Sequence, residues 1–336
     1  MVAMSSSTPS SQADKLTGSD EIGTEVGGVY PAGCHEHDSW PFLINRKDKK
    51  QRSPDHPEYN PRTLHVPQAV LDQQTPAMKQ WFEFKQENMD TVLFFKVGKF
   101  YELFHMDADV GVKEIDLIYM KGYKGHSGFP EISYGKYSHQ LVSKGFRVAR
   151  IEQTETPEML KERNARKSGK ADKVVAREIC AVLTKGTRTY CHFDEEFDDT
   201  YGSDSNSSLL FSIKEFTNEE KITEYGICVV DSIIGKVTMA QFQDDSQRSR
   251  LRTMISRFIP SEVLLETGKF SPETTGVLRL LAPKCLVTLL LTDEFPSDPN
   301  GVVDSLYKGQ YFPSDSKSGV SGPGRWPQVL QALVAG

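Results

Sequence analysis

The residue types most suited to chemistry stand in one stretch, VLFFKVGKFYELFHM, from Val92 to Met106. The pattern predicts an apolar strand that breaks at Gly98 and resumes as Phe100-Tyr101-Glu102-Leu103. Successive side chains of an extended backbone point to opposite faces. Phe100 therefore shares a face with Glu102, and Tyr101 with Leu103. Counted by the same parity, Lys96 and Gly98 fall with Phe100 and Glu102. A core would not choose Glu and Lys, so this face suits contact with something outside the chain.

Three other groups could carry chemistry. Met120-Lys121-Gly122-Tyr123-Lys124-Gly125 sets two lysines and an aromatic in a turn able to follow a phosphate backbone. Asp231 and Glu266 each end a predicted strand, as acids do in RNase-H-like nucleases that hold two metals; such a site needs further converging carboxylates. Cys34-His35-Glu36-His37 has metal-capable atoms, but no second cluster completes a tetrahedral site, so no metal is expected. The five cysteines are scattered without a CxxC pair and read as reduced, small apolar residues.

These residues must be positioned by regular elements. Residues 1–60, Ser/Gly-rich and then proline-punctuated, read as a disordered tail. Its basic cluster Arg46 to Arg52 suits a nuclear import signal or a solvated linker. Thr75-Pro76 starts a helix carrying Met78, Trp81, Phe82 and Lys85; the same residues resemble a degenerate sliding-clamp peptide, and core packing is the favoured reading. After the central stretch, residues 107–120 read as leading into a strand ending at Met120, and His126 to Pro130 as irregular. Tyr134, Tyr137, Leu141 and Val142 mark a helix capped by Gly145. A strand follows from Phe146 to Glu152, then a helix opened by Thr156-Pro157-Glu158. That helix runs into a basic, mobile connection (Arg163 to Lys173), and a strand spans Arg177 to Leu183.

An acidic break from Asp194 to Ser208 precedes a second pattern. It contains strands at Tyr225–Asp231 and Lys236–Phe242, a helix over Ser246–Phe258 and a buried strand at Glu262–Glu266. A helix capped by Ser271-Pro272-Glu273 and a strand at Cys285–Leu291 complete it. The alternation implies a sheet with helices packed on it.

The 336 residues suffice for about two domains. No run reaches the roughly 18–20 apolar residues of a membrane helix, and no membrane association is expected. A net charge of −6 would, taken alone, argue against nucleic acid. The charge is segregated, however: residues 91–190 hold 18 Lys+Arg against 12 Asp+Glu, and residues 194–204 hold six acids and no base. Screening confines fields to about 8–10 Å, so a phosphate backbone responds to the local excess.

The central stretch Gly98-Lys99-Phe100-Tyr101-Glu102-Leu103-Phe104 resembles the Phe-x-Glu signature of MutS-type mismatch-recognition proteins. Further blocks follow in the family's order: Gly128-Phe129-Pro130, Leu141-Val142 with Gly145 and Val148-Ala149, Glu152-Gln153 with Glu155 and Pro157, Arg177-Glu178, and Thr184 with Gly186-Thr187. Pro57-Glu58-Tyr59, Thr63 to Pro67, Val97-Gly98-Lys99 and His126 to Glu131 are more similar to the mismatch-reading subunit of the eukaryotic MutS-alpha heterodimer.

The resemblance implies a mixed α/β chain. A disordered tail (1–60) would precede a mismatch-binding domain (75–195), an RNase-H-like connector (208–310) and the incomplete start of a lever region (311–336). It implies recognition of mispaired bases and small insertion or deletion loops, with Phe100 as a wedge that kinks DNA and Glu102 meeting a base edge. Lys96, Lys99, Lys121 and Lys124 would hold phosphates, and Val97 and Met120 would neighbour the wedge. The implied partners are mismatched double-stranded DNA, a second MutS-homologue subunit and MutL-type proteins, in the nucleus. No GxxxxGK[ST] loop occurs in these residues, so ATP and Mg are expected only for an ATPase domain that this chain lacks, and the chain reads as a non-enzymatic portion. The alternatives are a metal-dependent nuclease using Asp231 and Glu266, or a protein-docking piece that reads no DNA.

Overall fold

In a computed structural model the described residues are 35–187, 208–218, 222–292 and 301–302. The acidic break, Cys34 and the lever start lie wholly or almost wholly outside them. Among the described residues the chain is mixed α/β and builds two five-stranded sheets.

Residues 35–60, expected within the disordered tail, are part of the fold. A 3-10 turn (Glu36–Ser39) leads into α1 (Pro41–Ile44), and α2 (Gln68–Asp72) precedes α3 (Pro76–Glu87). The cluster expected as an import signal or linker is tied down. Arg52 donates to the fully buried Asp48 (2.7 Å) and to Glu58 (3.0 Å), Lys49 pairs with Glu87, and Arg46 donates to Pro61 O (3.1 Å). Asp48 organises this segment, which low hydrophobicity had disguised.

The first sheet carries β1 (Thr91–Val97), β2 (Phe100–Phe104), β3 (His126–Pro130), β4 (Arg147–Gln153) and β5 (Arg177–Leu183), in the order β3-β2-β1-β4-β5. Between strands run α4 (Met106–Ile115), α5 (Tyr134–Ser143) and α6 (Pro157–Arg166). One sheet face (Val92, Phe94, Tyr101, Leu103, Phe129) packs on α4 and α5. The other (Leu93, Phe95, Ala149, Ile151) packs on α3 through Met78, Trp81 and Phe82. Thr75 caps α3 by accepting the Met78 N–H, and Pro76 occupies its first position. Because Met78, Trp81 and Phe82 are core residues, the sliding-clamp reading has no exposed side chains to use.

Three expectations are corrected. Residues 106–115 form α4, because Ala108, Gly111 and Ile115 face inward at helical spacing, with Asp107 and Asp109 in its first turn. Residues 126–130 form β3, paired antiparallel with β2 from Phe104↔His126 to Phe100↔Pro130; Gly and Pro had masked the strand. The connection after α6 is anchored, with Arg163 forked onto Glu155 (2.7 and 2.8 Å) and Asp172 held by Arg163 and Lys167.

The second sheet, ordered β10-β9-β6-β7-β8, uses β6 (Leu209–Thr217), β7 (Thr223–Asp231), β8 (Lys236–Asp244), β9 (Glu262–Glu266) and β10 (Leu286–Leu290). β6, β7 and β8 are antiparallel, and β9 and β10 run parallel to β6 after crossovers through α7 (Ser249–Arg257) and α8 (Pro272–Leu281). This is an RNase-H-like arrangement. Its middle strand, β6, carries no sequence expectation: its apolar run abuts the acidic break, which hides the start. The two sheets are linked where Gly186 N–H donates to the buried Glu262 carboxylate (2.9 Å) and Lys185 Nζ to Lys284 O (2.7 Å).

Candidate nucleic-acid interface

The β1–β2 hairpin turns through Gly98 and Lys99, with Gly98 at φ +58° and Val97 opposite Phe100. An L residue there would enter the left-handed region at a cost of about 1–2 kcal/mol. Phe100 stands at the hairpin tip with 47% of its surface exposed, while Tyr101 and Leu103 are buried on the other face. The expected division of the strand holds.

The position of Lys96 does not. Directly opposed residues in an antiparallel pair share a face, and Lys96 lies opposite Tyr101. Its ammonium sits 4.6 Å from the Tyr101 ring centre and pairs with Glu131, whose carboxyl it holds below the usual range through that hydrogen bond. Parity counted straight through the turn assigned Lys96 to the Phe100 face; the two-residue loop reverses the count. Val97 and Phe95 occupy that face instead.

Deeper along this face, α3 closes the sheet: Trp81 meets Phe104 edge-on with ring centres 6.3 Å apart. Beyond the helix, Glu102 is partly exposed, and His126 Nε2 lies 3.1 Å from its Oε2. Arg177 covers the neighbouring Phe95 ring at 4.6 Å and donates to Lys96 O (2.8 Å). Burial holds the Arg177 pKa below its ordinary value, opposed by the Glu102 charge.

Met120 reaches the same place from the 116–125 loop. A Cβ on Gly128, the residue opposite Glu102, would lie 2.9 Å from Tyr101 O and 3.3 Å from the Met120 methyl. The glycine thus makes room for a 39%-exposed methionine beside Glu102. A glycine inside a strand signals such close approach. Met120 N also donates to His126 O (2.7 Å), His105 N to Gly125 O (2.6 Å) and Glu36 N to Tyr123 O (3.1 Å), so the loop is fixed at both ends and its middle. Lys121 and Tyr123 are exposed and Lys124 half-buried on it; Lys99 is exposed in the hairpin turn.

The structure therefore brings Val97, Phe100, Glu102 and Met120 together, with Lys99, Lys121 and Lys124 on adjoining loops, and turns Lys96 away. His126, Arg177 and Gly128 join the site without having been singled out for it. The surface pairs an apolar projection with an acceptor carboxylate and nearby lysines, which suits contact with stacked bases and phosphates.

The nuclease constellation does not assemble. Asp231 Oδ1 caps the following turn by accepting from Ile233 N (3.1 Å) and Ile234 N (3.3 Å). Glu266 is buried and paired with Lys214, which lies opposite Gly226, five residues along β7 from Asp231. The two acids sit toward opposite ends of the sheet.

The family model of MutS domain I matches residues 75–191, and that of MutS domain II matches residues 208–300. The chain is 40% identical over 305 residues to the human DNA mismatch repair protein Msh6, covering 90% of this chain and 22% of that protein. It is 43% identical over 259 residues to MSH6 of Arabidopsis thaliana (75% and 19%). It is 32% identical over 219 residues to MutS of Methanosarcina acetivorans (61% and 22%). The chain thus spans about a fifth of the length of these curated relatives.

Proposed function

The chain belongs to the MutS family of DNA mismatch repair proteins, and from that membership we propose that its first sheet reads duplex DNA for mispaired bases and small insertion or deletion loops. The observation that carries this reading is a large aromatic side chain, Phe100, left exposed beside a carboxylate at the tip of a hairpin whose other face is core.

Phe100 acts as a wedge. Insertion between base steps unstacks them and kinks the duplex, at a few kcal/mol per step. A mispair has already lost part of its pairing and stacking, so deformation costs less there. Selectivity then follows deformability, which suits a reader that must accept several kinds of mispair. Val97 and Met120 are the apolar neighbours of the wedge.

Glu102 repels phosphate, so its place is at a base edge, where a carboxylate accepts from an exocyclic amino group. His126 holds it there, with the Arg177 charge nearby. Lys99, Lys121 and Lys124 contact phosphates and set the register of the duplex; Lys96 braces the hairpin through Tyr101 and Glu131. The second sheet serves as the connector, contacting a second MutS-homologue subunit and MutL-type proteins, in the nucleus. ATP and Mg act in parts of the assembly beyond residues 75–300.

The test uses the full heterodimer carrying this chain. It should bind a G·T or single-base-loop duplex more tightly than homoduplex, and Phe100→Ala should erase that difference while salt-sensitive binding persists. An unchanged preference in the variant would sink the wedge assignment.

A further inference from the structure

Three ligand-type atoms converge where residues 35–40 lie against α4. His37 Nε2 is 2.6 Å from Asp109 Oδ2, His35 Nδ1 is 3.6 Å from Asp109 Oδ1, and one ligand atom from each residue lies within 4.8 Å of the others. The His35–Asp109 separation is too long for a hydrogen bond. It is close to the ~3.3 Å ligand–ligand edge of a tetrahedron built on metal bonds of about 2.0–2.1 Å.

The surroundings hold these groups in place. The two imidazoles, His35 immediately before the 3-10 turn and His37 within it, stack within 7° at 5.7 Å. Tyr119 OH donates to Asp109 Oδ1 (2.8 Å), the kind of outer contact that orients a ligating carboxylate. His37 is only 3% exposed. A Cβ on Gly125 would come within 2.8 Å of His37 Cε1, so the loop glycine makes the cradle into which this ring fits.

We propose that His35, His37 and Asp109 form a site for a borderline divalent transition metal, Zn²⁺ foremost. Two imidazoles and one carboxylate suit zinc, whereas calcium and magnesium favour all-oxygen sets. Three protein ligands leave a fourth position for water. The ion fastens the 3-10 turn to α4 and, through the Glu36 N–H on Tyr123 O, steadies the loop bearing Lys121 and Lys124. The pairing joins residues 72 positions apart.

The test is made on the whole 336-residue chain after dialysis against chelator, with Zn²⁺ alone as the probe and a chromophoric competitor as readout. One equivalent of Zn²⁺ should bind and raise the melting temperature. Co²⁺ should give a visible d–d band without a thiolate charge-transfer band. His35→Ala and Asp109→Asn should each weaken Zn²⁺ at least tenfold and abolish the zinc-dependent rise in melting temperature. Melts in chelator check that each variant folds. Failure of the unmutated chain to take up Zn²⁺ stoichiometrically, a thiolate-to-cobalt band, or undiminished affinity in folded variants would each overturn the site. The first of these needs no variant.

Discussion

His126 Nε2 lies 3.1 Å from Glu102 Oε2, joining β3 diagonally to the carboxylate that shares a face with Phe100. The imidazole is itself fixed, stacked on Phe104 at 4.7 Å and 17°. Glu102 is therefore oriented before any ligand arrives. The pair should act as a unit in mismatch discrimination. His126→Ala and Glu102→Ala should each lower the mismatch-to-homoduplex affinity ratio, and the double variant should lose little beyond the larger single effect. Strict additivity in equilibrium duplex binding would separate the two residues.

Phe100 and Tyr101 are neighbours with opposite jobs. Phe100→Ala should alter stability by no more than about 0.5 kcal/mol, as for an exposed side chain. Tyr101→Ala should cost about 3–5 kcal/mol, since its 1%-exposed ring is core. Urea unfolding of each variant distinguishes them.

Beneath the sheet, Lys85 Nζ lies 2.6 Å from Asp107 Oδ1 and donates to Thr91 O (2.7 Å), while Leu93 N–H donates to Asp107 Oδ2 (3.1 Å). Both side chains are almost fully buried. Lys85→Met strands the carboxylate and should cost about 3–5 kcal/mol. Adding Asp107→Leu should recover part of that loss, read from the shift in denaturation midpoint.

Arg163, with help from the Ala176 N–H (3.0 Å), holds Glu155 at a pKa of about 2, against 4.5 in the free side chain. The folded state thus prefers the ionised acid. That contribution is complete above pH 4.5 and is lost as pH falls from there toward 2. Glu155→Gln should flatten the fall of melting temperature across this window and leave the profile above it unchanged in slope.

Gly128→Ala places a methyl against the Tyr101 carbonyl and the Met120 methyl. The β2–β3 pair must then shift, at about 1–3 kcal/mol. Mismatch preference should fall along with stability, whereas Gly98→Ala, whose added Cβ meets nothing within 4 Å, should act through turn strain alone. Thermal melts paired with duplex binding separate the two outcomes.

Much of this arrangement is legible in one dimension because it depends on local backbone geometry. Alternation along β2 divides Phe100 and Glu102 from Tyr101 and Leu103. Helix starts are written in Thr75-Pro76, Thr156-Pro157 and Ser271-Pro272, where a side-chain oxygen accepts an otherwise unpaired N–H. The ordered signature blocks point to the family as well. α4 and β3 were misread because short apolar runs fit either period and because Gly and Pro imitate a loop.

Tertiary structure alone decided which side chains meet. The two-residue turn at Gly98-Lys99 reversed the parity of Lys96, and strand register set the Met120 methyl over Gly128, opposite Glu102. Chain crossings carried Asp109 to His37 and put Asp231 and Glu266 toward opposite ends of a sheet. Period and capping are settled within a few residues of backbone. Neighbours across strands depend on turn length, register and the packing of distant segments, quantities that no local pattern of side chains encodes.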